Sequence, residues 1–91
     1  MHIETIKKLQ RKYGLTEMQN LINSGEIWKF EGSAGREAMR LLESGACMLP
    51  IEKQYDYYGN LVPGRTQLKK GSTGTFHNSE NFWKDSQPEI W

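Results

Sequence analysis

The amino-acid sequence predicts a single small α+β domain: three short helices and a terminal helical turn packed on a small, mainly antiparallel sheet. Three observations lead there. First, residues 17–25 and 37–45 share the frame Glu-x-x-x-Leu-aliphatic-x-Ser-Gly. Each copy runs into a short apolar stretch, Ile27-Trp28 or Ala46-Cys47-Met48-Leu49, so each reads as a helix, a glycine stop and a strand. Second, beyond Pro50 the helical period gives way to strand-like residues around a Gly59-Asn60 turn signal. Third, 91 residues is the size of one core and leaves no room for a second. Residues 1–86 are taken as the domain and 87–91 as a C-terminal tail.

The elements follow in order. Ile3, Ile6, Leu9 and Tyr13 recur at helical spacing over residues 2–13, and Gly14 stops that helix. Lys7, Lys8, Arg11 and Lys12 give it a basic outer face, which solvent or phosphate could occupy. Thr16-Glu17-Met18-Gln19 matches a capping box, so a second helix starts at Glu17 and ends at Gly25, with Met18, Leu21 and Ile22 inward. Two helices around a short turn invite a helix-turn-helix comparison. The second is barely two turns long, however, and shows Glu17, Asn20 and Asn23 outward, with no cation to reach a base or phosphate.

Residues 26–31 alternate well enough to read as a half-buried strand. Ser33 is a candidate N-cap for the third helix, whose inward stripe is Ala34, Ala38, Leu41 and Leu42 and whose stop is Gly45. Residues 46–49 read as a buried strand closed by Pro50. Residues 54–58 and Leu61-Val62 make a hairpin through Gly59-Asn60, and Val62-Pro63-Gly64-Arg65 fits a type II turn. A loop spans 69–75, and Asn78 or Ser79 caps a last short helix carrying Phe82 and Trp83.

Composition narrows the function classes. Twelve basic and eleven acidic residues give a net charge of +1, which speaks against a dedicated nucleic-acid binder. Three Trp, four Tyr and three Phe place much of the buried area in aromatic side chains, in the core or in an interface. Trp28 and Trp83 are candidates for burial in a homodimer. The single Cys47 lies in an apolar run with no activating His near it in sequence, and reads as a small buried hydrophobe. Met-His-Ile-Glu-Thr has no signal-peptide pattern, and no apolar run approaches membrane-span length, so a cytoplasmic setting without membrane contact is expected.

No catalytic signature appears: there is no Ser-His-Asp order, HExxH motif or paired-carboxylate pattern, and the chain is expected not to be an enzyme. His2 and His77 are too few and too isolated for a metal set, and no cofactor is expected. Two candidate sites remain. Ser33, Gly35 and Arg36 open the third helix and could gather free amides, a helix dipole and a guanidinium on a phosphate or carboxylate, although the Gly-Lys-Ser/Thr ending of a P-loop is missing. The tract from Tyr55 to Lys70 interleaves Tyr55, Tyr57 and Tyr58 with Arg65, Lys69 and Lys70. That composition suits a protein partner, or stacked bases with held phosphates.

The run from Met18 to Ile22, then Trp28 to Met39, Cys47-Met48-Leu49-Pro50 and Asp56 to Pro63 resembles a family of small uncharacterised bacteriophage and prophage-encoded proteins. The likeness covers roughly residues 15–76 and brings no activity with it. It implies a bacterial host cell cytoplasm and a small non-catalytic protein that binds and modulates a host protein, as in host takeover or anti-defence. The alternative is a nucleotide or nucleic-acid binding module that uses the Gly32–Arg36 helix start with the Tyr55–Lys70 tract.

Overall fold

Four α-helices, two 3₁₀ turns and one two-stranded ribbon make up the computed structural model, which describes residues 2–30, 32–56 and 58–86. In chain order these are α1 (Ile3–Lys12), α2 (Thr16–Ser24), a first 3₁₀ turn (Glu26–Lys29), α3 (Ser33–Ser44), β1 (Gln54–Tyr55), β2 (Leu61–Val62), a second 3₁₀ turn (Arg65–Gln67) and α4 (Phe76–Ser86). The α+β class is as expected, but the balance differs. The buried apolar cluster is Ile6 and Leu9 of α1, Ile22 of α2, Ile27, Ala38, Leu41 and Leu42 of α3, the run Ala46–Leu49, and Trp83 of α4. The ribbon supplies only Val62, packed at the edge of that cluster, so the helices do not rest on a sheet.

The repeated Ser-Gly endings act alike in both copies. Gly25 and Gly45 take left-handed φ angles of +83° and +98°, which close α2 and α3. Ser24 Oγ donates to the Leu21 carbonyl at 3.3 Å and accepts from the Glu26 amide at 3.3 Å. Ser44 Oγ does the same with Leu41 and Ala46 at 3.0 and 3.2 Å. The repeat is a helix stop with its own hydroxyl bridge across the exit.

After the two stops the copies diverge, and neither makes the expected strand. Residues 26–29 form a 3₁₀ turn, in which the Trp28 amide bonds Gly25 O at 3.2 Å and the Phe30 amide bonds Ile27 O at 3.3 Å. With no neighbouring strand to pair with, these local bonds satisfy the backbone, and Ile27 still reaches the core. Residues 46–49 are fully buried but bend at Ala46 and Cys47 and join no sheet. Side chains take the place of a partner strand. Gln19 receives the Met48 amide on Oε1 at 2.8 Å and returns Nε2 to the Met48 carbonyl at 2.9 Å. Gln10 donates to Ala46 O at 3.1 Å and to Gln19 Oε1 at 2.8 Å. The Cys47 amide goes to Leu41 O and the Leu49 amide to Gly74 O, at 3.2 and 2.9 Å. Arg65 Nε donates to Leu49 O at 2.7 Å.

This network changes the start of α2. The expected capping box is not made: Leu15 is the N-cap, without a side-chain bond, and Gln19 turns inward to hold Met48. Likewise Gly32, at φ +78°, precedes α3, and Ser33 is its first helical residue with no capping bond. The remaining differences are local. β1 pairs with β2 as Gln54↔Val62 and Tyr55↔Leu61, so the connection is 56–60 and not a two-residue Gly59-Asn60 turn. Asp56 organises it, its Oδ1 accepting from the Tyr58 and Asn60 amides at 2.9 and 2.8 Å. Gly64 has φ −78°, which excludes a type II turn; glycine is needed there because a Cβ would lie 2.5 Å from the Ile51 carbonyl oxygen. The terminal helical turn is a full helix, α4. It begins before Asn78 because Thr75 Oγ1 accepts the Asn78 amide at 3.2 Å. Trp83 then stacks on Tyr13 at 5.5 Å, joining α4 to α1. The tail, 87–91, lies outside the described residues.

Candidate binding cleft

The side of α3 nearest the first 3₁₀ turn and the hairpin connection opens into a cleft of about 550 Å³. Gly35, Arg36, Met39, Arg40 and Glu43 line it from α3; Ile27, Trp28, Phe30 and Gly32 come from the segment before it, and Asp56 and Tyr58 from the hairpin connection. A second cleft of about 360 Å³ shares Trp28, Met39 and Asp56 and continues between α3 and β2, over Leu42, Leu49, Leu61, Val62, Pro63 and Leu68. Its lining is almost wholly apolar. Large hydrophobics stand exposed around both: Phe30 at 56%, Met39 at 47%, Tyr58 at 76% and Leu61 at 56%.

Each lining residue is placed by a local cause. The Gly25 stop turns the chain so that Ile27 enters the core while Trp28 is left half-buried at the cleft wall. Gly32 turns it again, and α3 then buries Ala38, Leu41 and Leu42 and presents Arg36, Met39, Arg40 and Glu43 on the opposite side. The Asp56-centred connection carries Tyr58 to the cleft lining.

Charges of both signs edge the larger cleft. Arg40 donates to Glu37 through Nε at 3.0 Å and through Nη2, and this pairing lowers the Glu37 pKa and raises that of Arg40. Arg36 and Glu43 make no side-chain ion pair or hydrogen bond among the described residues. Among the described residues that line the larger cleft there is no Ser, Thr, Cys or His. Cys47 is buried beneath the helices, and burial pushes its thiol up to about 11, away from reactivity at neutral pH. Among the described residues no group of three His, Cys, Asp or Glu could hold a metal ion. The cleft has an apolar floor, aromatic and methionine walls, and a mixed-charge edge.

The candidate residues from the sequence are partly gathered. Gly35, Arg36 and Tyr58 all line the larger cleft, while Ser33 lies outside the lining. Tyr55 is exposed on β1 and Lys69 and Lys70 are exposed in the following loop; none of the three lines either cleft. Tyr57 lies outside the described residues. Arg65 is committed internally: besides Leu49 O, it donates through Nη2 to Asn23 Oδ1 at 2.9 Å, and burial lowers its pKa. The residues that sequence reasoning passed over are Met39, Phe30, Glu43 and Leu61. A signal existed for the first: Met39 falls outside the Ala34–Ala38–Leu41–Leu42 stripe, an apolar residue on an otherwise polar helix face.

Among the described residues no helix is long and apolar enough to cross a membrane. No protein-family model matches the chain, and neither the curated proteins nor the solved structures contain a significant match to it.

Proposed function

We propose that this chain is a small non-catalytic binding protein, of phage or prophage type, that docks a host protein through the apolar cleft between α3 and β2. The observation that carries it is the open wall of Trp28, Met39 and Leu61 with Leu42, Leu49 and Leu68 behind. Met39, exposed beside Trp28 and Leu61 on one concave surface, has the flexible thioether that adapts to a partner's side chains, and Trp28 is of a type that anchors such contacts. The nearly balanced charge of the chain fits a protein partner better than a polyanion.

The test is a bacterial-lysate pull-down with the wild-type chain and Leu61→Asp. Leu61 is exposed at the end of the ribbon, so the variant should melt at the wild-type temperature. Retention of a discrete protein by the wild type and its loss in the variant is the expected result. No retained protein, or equal retention by both, refutes the docking site.

A second proposal, a nucleotide or anion site, draws on Gly35 and Arg36 at the first turn of α3 with Tyr58 lining the same larger cleft. A ligand at a hundredfold excess over its Kd would add about 2.7 kcal/mol of apparent stability. Absence of any thermal shift with nucleotides and short oligonucleotides at low salt removes it.

A further inference from the structure

The outer stripe of α3 is self-complementary. Arg36, Met39, Arg40 and Glu43 stand at i, i+3, i+4 and i+7, which brings them within about 100° of helix circumference, opposite the buried Ala38, Leu41 and Leu42. The stripe is also symmetric in sequence. Arg36 lies three positions before Met39, and Glu43 lies three positions after Arg40. A two-fold axis perpendicular to α3 between Met39 and Arg40 would run two copies of the helix antiparallel. It sets Arg36 of each against Glu43 of the other and lays Met39 of each on the aliphatic stem of the other's Arg40. Among the described residues Arg36 and Glu43 are the two charged residues of this stripe that make no side-chain pairing, and Arg40 keeps its own Glu37.

We propose that this face of α3 is a homodimer interface, an antiparallel α3–α3 contact about that axis. A two-fold interface uses the same patch twice, so any charges it carries must be matched by opposite ones in mirrored places. Arg36 and Glu43 are so matched, whereas a patch made for a partner of one charge would not be. Their separation of seven residues, roughly 10 Å along the axis, matches the span over which two packed helices touch. Exposed Phe30 and Tyr58, which line the same cleft, supply flanking apolar surface that a solitary chain leaves in water. Met39 also bounds the smaller cleft, so the dimer covers the Met39 side of that cleft in each copy and leaves its Leu61 side open. The dimer does not depend on the proposed host-protein contact.

The experiment is sedimentation equilibrium of the full chain and of three charge variants across a concentration series, with melting temperatures as a check of folding. Wild type is expected to show a monomer–dimer equilibrium. Arg36→Glu and Glu43→Arg should each weaken it tenfold or more, because each places like charges against one another at both ends of the contact. An equimolar mixture of the two should recover the dimer, because a carboxylate at 36 in one chain then meets a guanidinium at 43 in the other. The doubly reversed Arg36→Glu/Glu43→Arg chain should dimerise by itself for the same reason, and it supplies the answer if either single variant fails to fold. A wild type that stays monomeric, a dimer insensitive to both reversals, or reversals whose combination restores nothing would each overturn the proposal.

Discussion

Replacing Gln19 by Leu keeps the volume of the side chain nearly constant and deletes its amide. Gln19 is 6% exposed and holds both the amide and the carbonyl of Met48, itself 1% exposed. In the variant those two backbone groups remain buried with no partner in the network, at about 1–3 kcal/mol each. Gln10 retains its bond to Ala46 O, so it adds little. Burying the leucine methyls returns about 1–2 kcal/mol. At the middle of these ranges the expected net loss is about 2–3 kcal/mol, a large part of the roughly 5–14 kcal/mol available to a domain of this size. The melting temperature should fall by some 10–25 °C. Urea titration followed by the fluorescence of Trp28 and Trp83 measures it, with the m-value unchanged. Asn20→Leu, at an exposed position on the same helix, should stay within about 0.5 kcal/mol of wild type. A loss below about 1 kcal/mol for Gln19→Leu would refute the claim that side chains substitute for a partner strand.

Two further outcomes concern the same scaffold. Gly45→Ala should cost about 2–4 kcal/mol, since φ is +98° and the new Cβ would lie 2.8 Å from Phe82 Cβ; Gly35→Ala, in α3 with open space around it, should gain about 0.5–1 kcal/mol, both read by chemical denaturation. The Cys47 thiol, raised by burial from an ordinary 9.0 to about 11, favours the folded state while neutral. That contribution is full below pH 9, where neither state ionises, and is lost as pH rises through 9 towards 11, because the unfolded chain releases its proton first. The decline should amount to about 2–3 kcal/mol and disappear in Cys47→Ala when compared by denaturation at pH 8 and pH 11.

What could be read from the sequence was whatever depends on neighbours along the chain. The helical stripes of α1 and α3, the glycine stops at 25 and 45 and the hairpin's place before Leu61 are set by local spacing and backbone freedom, and they appear where expected. The misread places depend on contacts made from far away. Gln19 fits a capping box locally, but Met48, 29 positions on, offers it two backbone groups in the core. Residues 46–49 have strand composition, yet glutamines occupy the edge that a strand would pair with. Gly64 resembles a turn glycine, while its actual constraint is the carbonyl of Ile51. The candidate site divides in the same way. Arg36 was visible as the cation at a helix start. Arg65 looked equally available in the one-dimensional pattern, although folding closes it onto Leu49 and Asn23. The cleft itself needed Tyr58 and Met39 to line one concavity, which no spacing along the chain announces.

The side-chain clamp on residues 46–49 also governs what happens when the protein is not fully folded. Ala-Cys-Met-Leu is short, apolar and uncharged, a run that is unfavourable to leave in water. In the native chain it is unavailable, because Gln10, Gln19 and Arg65 hold the backbone groups that a foreign strand would need. These guards come from α1, α2 and the second 3₁₀ turn, up to 36 positions away in sequence. Partial opening that lifts α1 or α2 removes these guards and frees the backbone groups of 46–49. Solubility during folding and on warming would then be set by how soon two glutamines reach their carbonyls.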